Sequence, residues 1–212
     1  GCGDGGFISA FAESGAISSG IEIKDFNWPK TDKVNYFIHD ITKQNITTVI
    51  KDKFDLIILR DVIEHIKSDE KIFFLKSISR FCHSKTKILI TFPPFLSPFG
   101  LHQQVFCKTI LKKIPFLSLI PQQLIHYLML IAGESKDTIE KINEIYNCKM
   151  KIGEFLKILD TLNFKIIKNE FFFIRPSHEI RYGWKTKKSH LGNIPFIREI
   201  FVSGTLFFIK HK

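Results

Sequence analysis

The chain opens on GCGDGG, where Gly1, Gly3 and Gly5 alternate with other residues just ahead of FISAFAESGA, a stretch of helix-forming character ending at Gly15. A turn without Cβ atoms lets the backbone come close to a ligand. The free N–H groups of the helix that follows favour a negative group, a phosphate or a carboxylate. Glu22 then ends a predicted strand about 20 residues further on, where nucleotide-binding α/β folds place an acid for the ribose hydroxyls. Without the glycine turn upstream, Glu22 would read as an ordinary surface acid.

Two histidines at predicted strand exits are candidates for proton transfer: His65 in DVIEHI and His102 in FGLHQQ. Histidine titrates near neutral pH, so a neutral ring can take the proton of a hydroxyl acceptor, with a rate that rises through the histidine range. His102 is the better candidate, because the carboxyl edge of the sheet is where open α/β folds bind ligands. His65 is equally compatible with packing behind the ligand. Arg175, His178, Arg181 and Tyr182 cluster late in the chain, and arginine forms paired hydrogen bonds to carboxylate or phosphate, so this cluster either binds an anionic acceptor or is a solvated loop. Asp61 and Glu64 with His65 have ligand chemistry for a divalent ion; carboxylates near a strand exit are common, and no metal is expected.

These residues need a scaffold. SGIEIK, NYFIHDIT, FDLIILRDV and KTKILITF read as strands, and FDLIILRDV is apolar enough for a strand buried on both faces. SDEKIFFLKSISRFC reads as a helix with Ser68 as N-cap and an apolar face of Ile72, Phe73, Leu75 and Ile78. The prolines of PPFLSPFG end the preceding strand. Residues from about 101 to 148 break the alternation and read as a mostly helical insertion. KIGEFLKILDTLNF is a helix facing inward with Phe155, Leu156 and Leu159, KIIKNEFFFI a strand, 175–195 a loop, and REIFVSGTLFFIKH a last strand. Strands alternating with helices imply an α/β fold, a doubly wound, Rossmann-like, mostly parallel sheet.

Composition sets the outer bounds. With 212 residues and 44% hydrophobic content, residues 1–212 suit a single domain. Cys2, Cys82, Cys107 and Cys148 are far apart and suggest neither zinc site nor disulfide framework, which suits a reducing cytoplasm. The net charge of +10 would attract an anion. The richest basic run, WKTKKSH, has no nucleic-acid motif around it and reads as a solvated loop, so no specific nucleic acid is expected. The longest apolar stretch, residues 114–133, is interrupted by Pro121, Gln122, Gln123 and His126, which argues against a spanning helix. Flanked by Lys112 and Lys113, it is either the core of a substrate lid or a peripheral contact with an anionic membrane, at the inner face of the cytoplasmic membrane.

Taken together, GCGDGG, GIEI, IHDI and FDLIILRDVIEHI resemble the class I S-adenosylmethionine-dependent methyltransferases. The resemblance covers most of the chain. It implies S-adenosylmethionine as cofactor, with Gly1, Gly3 and Gly5 as its glycine motif, Glu22 at the ribose, Asp40 at the adenine amine, and Arg60 and Asp61 at the exit of the fourth strand. In that family a hydrophobic strand precedes the glycines, so the first strand is expected to be missing from this chain. EHI after DLIIL is common in the small-molecule and lipid-modifying branch, and FPPF follows the fifth strand, unlike the motif of DNA amino methyltransferases. RPSHEIRYG and IPFIREIFVSG look like bacterial methyltransferases of surface-glycan or natural-product clusters. The expected activity is methyl transfer to a small-molecule, lipid or glycan acceptor at oxygen, with His102 and His65 catalytic and Arg175, Arg181 and Tyr182 at the acceptor. The alternatives are an inactive S-adenosylmethionine-binding module and a nicotinamide-dependent oxidoreductase; the last has no use for the EHI element.

Overall fold

A computed structural model describes residues 1–29, 31–43 and 49–211. Helix α1 (Gly6–Glu13) follows the glycine turn and ends at Ser14, with Gly15 beyond it at φ 96°, a left-handed position that glycine adopts freely. Strands β1 (Ser18–Glu22) and β2 (Val34–Ile38) pair in parallel, with Glu22 opposite Ile38. Gly20 lets the turn and α1 lie directly on β1, since a Cβ there would stand 2.5 Å from Ile8 and 2.9 Å from the Cys2 sulfur.

A second sheet has the order β3-β4-β7-β5-β6, built from β3 (Leu56–Arg60), β4 (Lys87–Phe92), β5 (Phe164–Ile174), β6 (Lys187–Lys188) and β7 (Gly204–His211). Strands β3 and β4 are parallel, whereas β7 runs antiparallel to both β4 and β5. Hence β3, β4 and β5 point one way and β6 and β7 the other. The β1–β2 pair is not hydrogen-bonded to β3, so GIEI and DLIIL lie in separate sheets. Gly1 stands between them: its amine donates to the Ile21 carbonyl, and a Cβ on it would meet a Val62 methyl at 2.6 Å.

The main core forms where β4 and β7 meet α6 (Ile152–Thr161): Ile88, Ile90, Phe92, Phe155, Phe207 and Ile209 are fully buried. Residues after β4 fold mostly as helices, α3 (Gln103–Phe106), α4 (Gln122–Ile131) and α5 (Lys136–Cys148), around a second apolar cluster that includes Leu101, Ile125, Ile142 and Tyr146. Ser135 caps α5 by accepting from the Thr138 N–H at 3.3 Å.

Several expectations change. Leu56 on β3 is 39% exposed and Ile57 and Ile58 are half-buried, because β3 is an edge of its sheet. Helix α2 (Lys71–Ser79) starts later than expected and Ser68 does not cap it. Its hydroxyl donates instead to the carbonyls of Asn147 and Cys148, the unpaired end of α5. With the helix beginning at Lys71, the inward stripe i, i+3, i+4, i+7 is Lys71, Phe74, Leu75 and Ile78. Ile72 and Phe73 point outward. Lys71, fully buried, donates to the Cys148 carbonyl and pairs with Glu154 at 3.4 Å, joining α2 to the end of α5 and to α6. Residues 175–195 are more ordered than a loop: they hold α7 (Pro176–Tyr182), started by a proline at its first position and ended by Gly183 at φ 70°, and then β6. A short helix, α8 (Ile197–Phe201), precedes the last strand.

Candidate active site

The glycine turn and Glu22 meet at one edge. Gly3 and Gly5 hold φ 55° and 83°, where a side chain would be strained, and a Cβ on Gly3 would have no neighbour within 4 Å. The Gly3 and Ile23 N–H groups donate to the two oxygens of the Glu22 carboxylate at 2.9 and 2.8 Å. Partial burial alone would raise the pKa of Glu22, but these backbone donors outweigh it and hold it below the usual range. Glu22 is therefore an oriented, ionised acceptor facing an open backbone. Such a cradle fits a nucleoside with vicinal hydroxyls.

Asp40 lies two residues beyond the partner of Glu22 on β2 and accepts from the Thr42 N–H and hydroxyl at 2.9 and 2.6 Å, with Lys43 at 3.4 Å. Its partial burial is likewise outweighed by these donors, and its pKa is lowered. Arg60 sits on the outer side, with its guanidinium 5.3 Å from the centre of the Phe7 ring on α1.

Trp28 joins this rim without any signal from motif spacing. Its indole N–H donates to the Gly3 carbonyl at 2.8 Å, and its ring stacks on Tyr36 at 4.6 Å with 1° between planes. A tryptophan in a loop after a strand needs a partner for its N–H, and that need was the available clue.

A second group of residues meets at the carboxyl ends of β3, β4 and β5. Here a cavity of about 210 Å³ is lined by Asp61, His65, His102, Arg175, His178 and Arg181, among others. Asp61, at φ 53°, accepts from Arg175 Nη2 at 2.7 and 2.5 Å and from the Thr91 hydroxyl at 3.1 Å. Sequence reasoning placed Asp61 with the cofactor and Arg175 with the acceptor; the structure makes them one ion pair. His65 and His102 stand edge to face, with ring centres 5.2 Å apart. Tyr182 packs with Trp184 and His178 at 5.2 and 5.7 Å and does not line the cavity.

Burial, then the neighbouring His65, pushes the pKa of His102 down to about 4. His178 is lowered by burial and then by Arg175 and Arg181. His65 is lowered as well, chiefly by burial, against the opposing Asp61 and Glu144 charges. Beneath them Glu64 is 4% exposed, and neither of its oxygens has a partner among the described residues. Burial, followed by the Asp61 charge, raises its pKa well above the usual carboxylate value and favours the neutral form. The ligand atoms of Glu64, His65 and His102 lie within 4.8 Å of one another.

A family model described as a methyltransferase domain matches residues 1–129. Among solved structures, the chain is similar to the plantazolicin methyltransferase BpumL in complex with a triazolic desmethylPZN analog and SAH, at 13% identity and TM-score 0.54, over 100% of this chain and 75% of that one. It is similar to magnesium protoporphyrin IX methyltransferase (ChlM) from Synechocystis PCC 6803 with bound SAH, at 15% identity and TM-score 0.52, over 100% and 71%. It is also similar to a TehB-like SAM-dependent methyltransferase from Corynebacterium glutamicum, at 15% identity and TM-score 0.55, over 100% and 77%. A search of curated proteins found no match. At these identities the structural likeness is one of fold, and the family match supplies the rest. With more than half of its length matched, the chain belongs to the class I S-adenosylmethionine-dependent methyltransferases.

Proposed function

We propose that this methyltransferase acts on a small-molecule, lipid or glycan acceptor, at oxygen, with the acceptor bound in the cavity between Asp61, His102 and Arg181. The observation that carries this reading is shared position. Asp61, Pro93 and Arg175 follow β3, β4 and β5 directly, so the cavity opens at the carboxyl edge of that sheet, and Val62, next to Asp61, packs against Gly1 of the glycine turn. The cofactor, when bound, supplies a methyl group on a sulfonium. The chain's own work is alignment, for which side chains converging on a small cavity are suited.

His102 is the proposed proton acceptor, with His65 beside it. The depressed pKa keeps its ring neutral throughout the neutral range. The rise in rate expected of an ordinary histidine therefore moves down toward pH 4, and this imidazole is a weak base. His102→Ala should lower turnover about a hundredfold while leaving cofactor affinity intact if proton transfer matters. Near-normal turnover would leave alignment as the whole mechanism.

Residues 101–148 act as the lid in this reading, supported by His102, Gln104 and Val105 lining the cavity. Among the described residues no helix is long and apolar enough to cross a membrane. Leu124, Tyr127 and Ile131 nonetheless form an exposed stripe on α4, which keeps a peripheral lipid contact testable by vesicle co-sedimentation. The activity itself is tested by mass spectrometry of candidate acceptors incubated with S-adenosylmethionine. A chain that binds the cofactor and methylates no member of a broad panel would be a binding module; one that binds NAD instead would overturn the reading.

A further inference from the structure

The cavity carries an electrostatic imbalance. Two guanidinium groups, Arg175 and Arg181, face it, and among its lining residues Asp61 is the one carboxylate. That carboxylate is already engaged, since Arg175 Nη2 donates to both of its oxygens. Both bonds come from a single nitrogen, leaving Nε and Nη1 of Arg175 without a partner in the described structure. Arg181 has no acidic partner among the described residues. Glu64 does not line the cavity, and its burial favours the neutral form. The histidines report the same field: His178 and His102 both feel Arg175 and Arg181 as charges that oppose protonation. Ser177 adds a hydroxyl to the lining.

We propose that the acceptor carries an anionic group, a carboxylate or a phosphate, held by Arg181 and by the free edge of Arg175 while Asp61 fixes the Arg175 guanidinium in place. The proposal rests on the acceptor reading of the cavity. A guanidinium pinned by one carboxylate still offers donors in a fixed plane, which suits recognition of a second planar or tetrahedral anion. The Arg175 side chain is 15% exposed, so its share of that contact is less screened than a pair on an open surface. Asp61 is then a positioning residue: it sets the angle at which Arg175 meets the ligand and offsets one of the two positive charges, so that a single anionic group balances the site.

The test uses the full chain, with and without S-adenosylhomocysteine, titrated at low ionic strength with inorganic phosphate and, in a separate arm, acetate. The imidazole signals of His102 and His178 are followed by NMR. Saturable shifts of both are expected, weakened about tenfold in Arg181→Gln, the loss of one charged hydrogen-bond donor. Lys187→Gln, on the exposed strand β6, should leave the titration unchanged. Response to phosphate alone points to a phosphate ester, and response to acetate points to a carboxylate. No saturable shift, or the same affinity in Arg181→Gln as in the unaltered chain, overturns the proposal. Failure to bind S-adenosylhomocysteine would count against the methyl-transfer reading instead, because the anion titration is also run without it.

Discussion

The two rims of the site are built by different means. On the proposed cofactor rim, Gly3, Gly5, Glu22 and Trp28 all fall within the first 28 residues, and bonds across 19 and 25 residues hold them: Gly3 to Glu22, and Trp28 to Gly3. On the proposed acceptor rim, Asp61 and Arg175 meet across 114 residues of sequence, and His102 reaches the same cavity from an insertion with its own core. A rim made by local backbone geometry survives small shifts elsewhere. One made by distant side chains depends on every packing contact between them.

The strongest way to break this contrast is to loosen the joint between the insertion and the sheet. Lys71→Ala removes a fully buried donor to the Cys148 carbonyl and leaves Glu154 without its partner. Loss of one member of a buried pair, with the cavity left behind, should destabilise the protein by about 2–4 kcal/mol, below the upper end because Glu154 is 34% exposed. Urea unfolding measures it, and a loss under about 1 kcal/mol would show that Lys71 is no such joint.

Exchanging the rims' charged anchors sharpens the contrast. Asp61→Asn should cost about 1.5–3 kcal/mol, as for a charge-assisted bond, in stability and acceptor binding, while cofactor affinity stays unchanged. Glu22→Ala should do the reverse, weakening S-adenosylmethionine by about 1–3 kcal/mol in calorimetry. If Asp61→Asn weakens the cofactor as much as Glu22→Ala does, Asp61 belongs to the cofactor rim, as its position after β3 first implied.

The rims should also part company with pH. His102 binds its proton more weakly folded, near 4, than unfolded, near 6.5, so its contribution is fully present above about pH 6.5 and fades toward pH 4. Partial exposure of the ring limits this to about 1–2 kcal/mol. Glu22, lowered from 4.5, contributes above that value and loses its share only as pH falls further. Thermal unfolding between pH 7 and 5 should therefore show a loss, shared with His65 and His178, that His102→Ala reduces and Glu22→Ala leaves in place. An identical profile in the His102 variant would contradict the burial of that ring.

The smallest effect is expected at Trp28. Trp28→Phe keeps the stack on Tyr36 and deletes the bond to the Gly3 carbonyl, which should weaken the cofactor by about 1 kcal/mol. The chain has two tryptophans, Trp28 and Trp184, so in a Trp184→Phe background the emission of Trp28 alone should change on cofactor binding. Unchanged emission would place Trp28 outside the rim.

Much was legible in the linear order of residues, and the reason is locality. Glycines at positions 1, 3 and 5, an acid at the end of the next strand and apolar runs of strand length each describe geometry set by a few neighbouring residues, and β1 to β5 appear where those runs fall. Tertiary structure alone decided the rest. Ser68 satisfies the end of another helix rather than starting its own, and Lys71, a surface type by composition, is as fully buried as the core residues Phe92 and Phe155. Asp61 and Arg175 neutralise each other, and burial favours the neutral form of Glu64 inside a motif that marks it as acidic. Whether a charge is paired, solvated or protonated depends on what the folded chain brings against it, and local spacing carries no record of a partner 114 residues away.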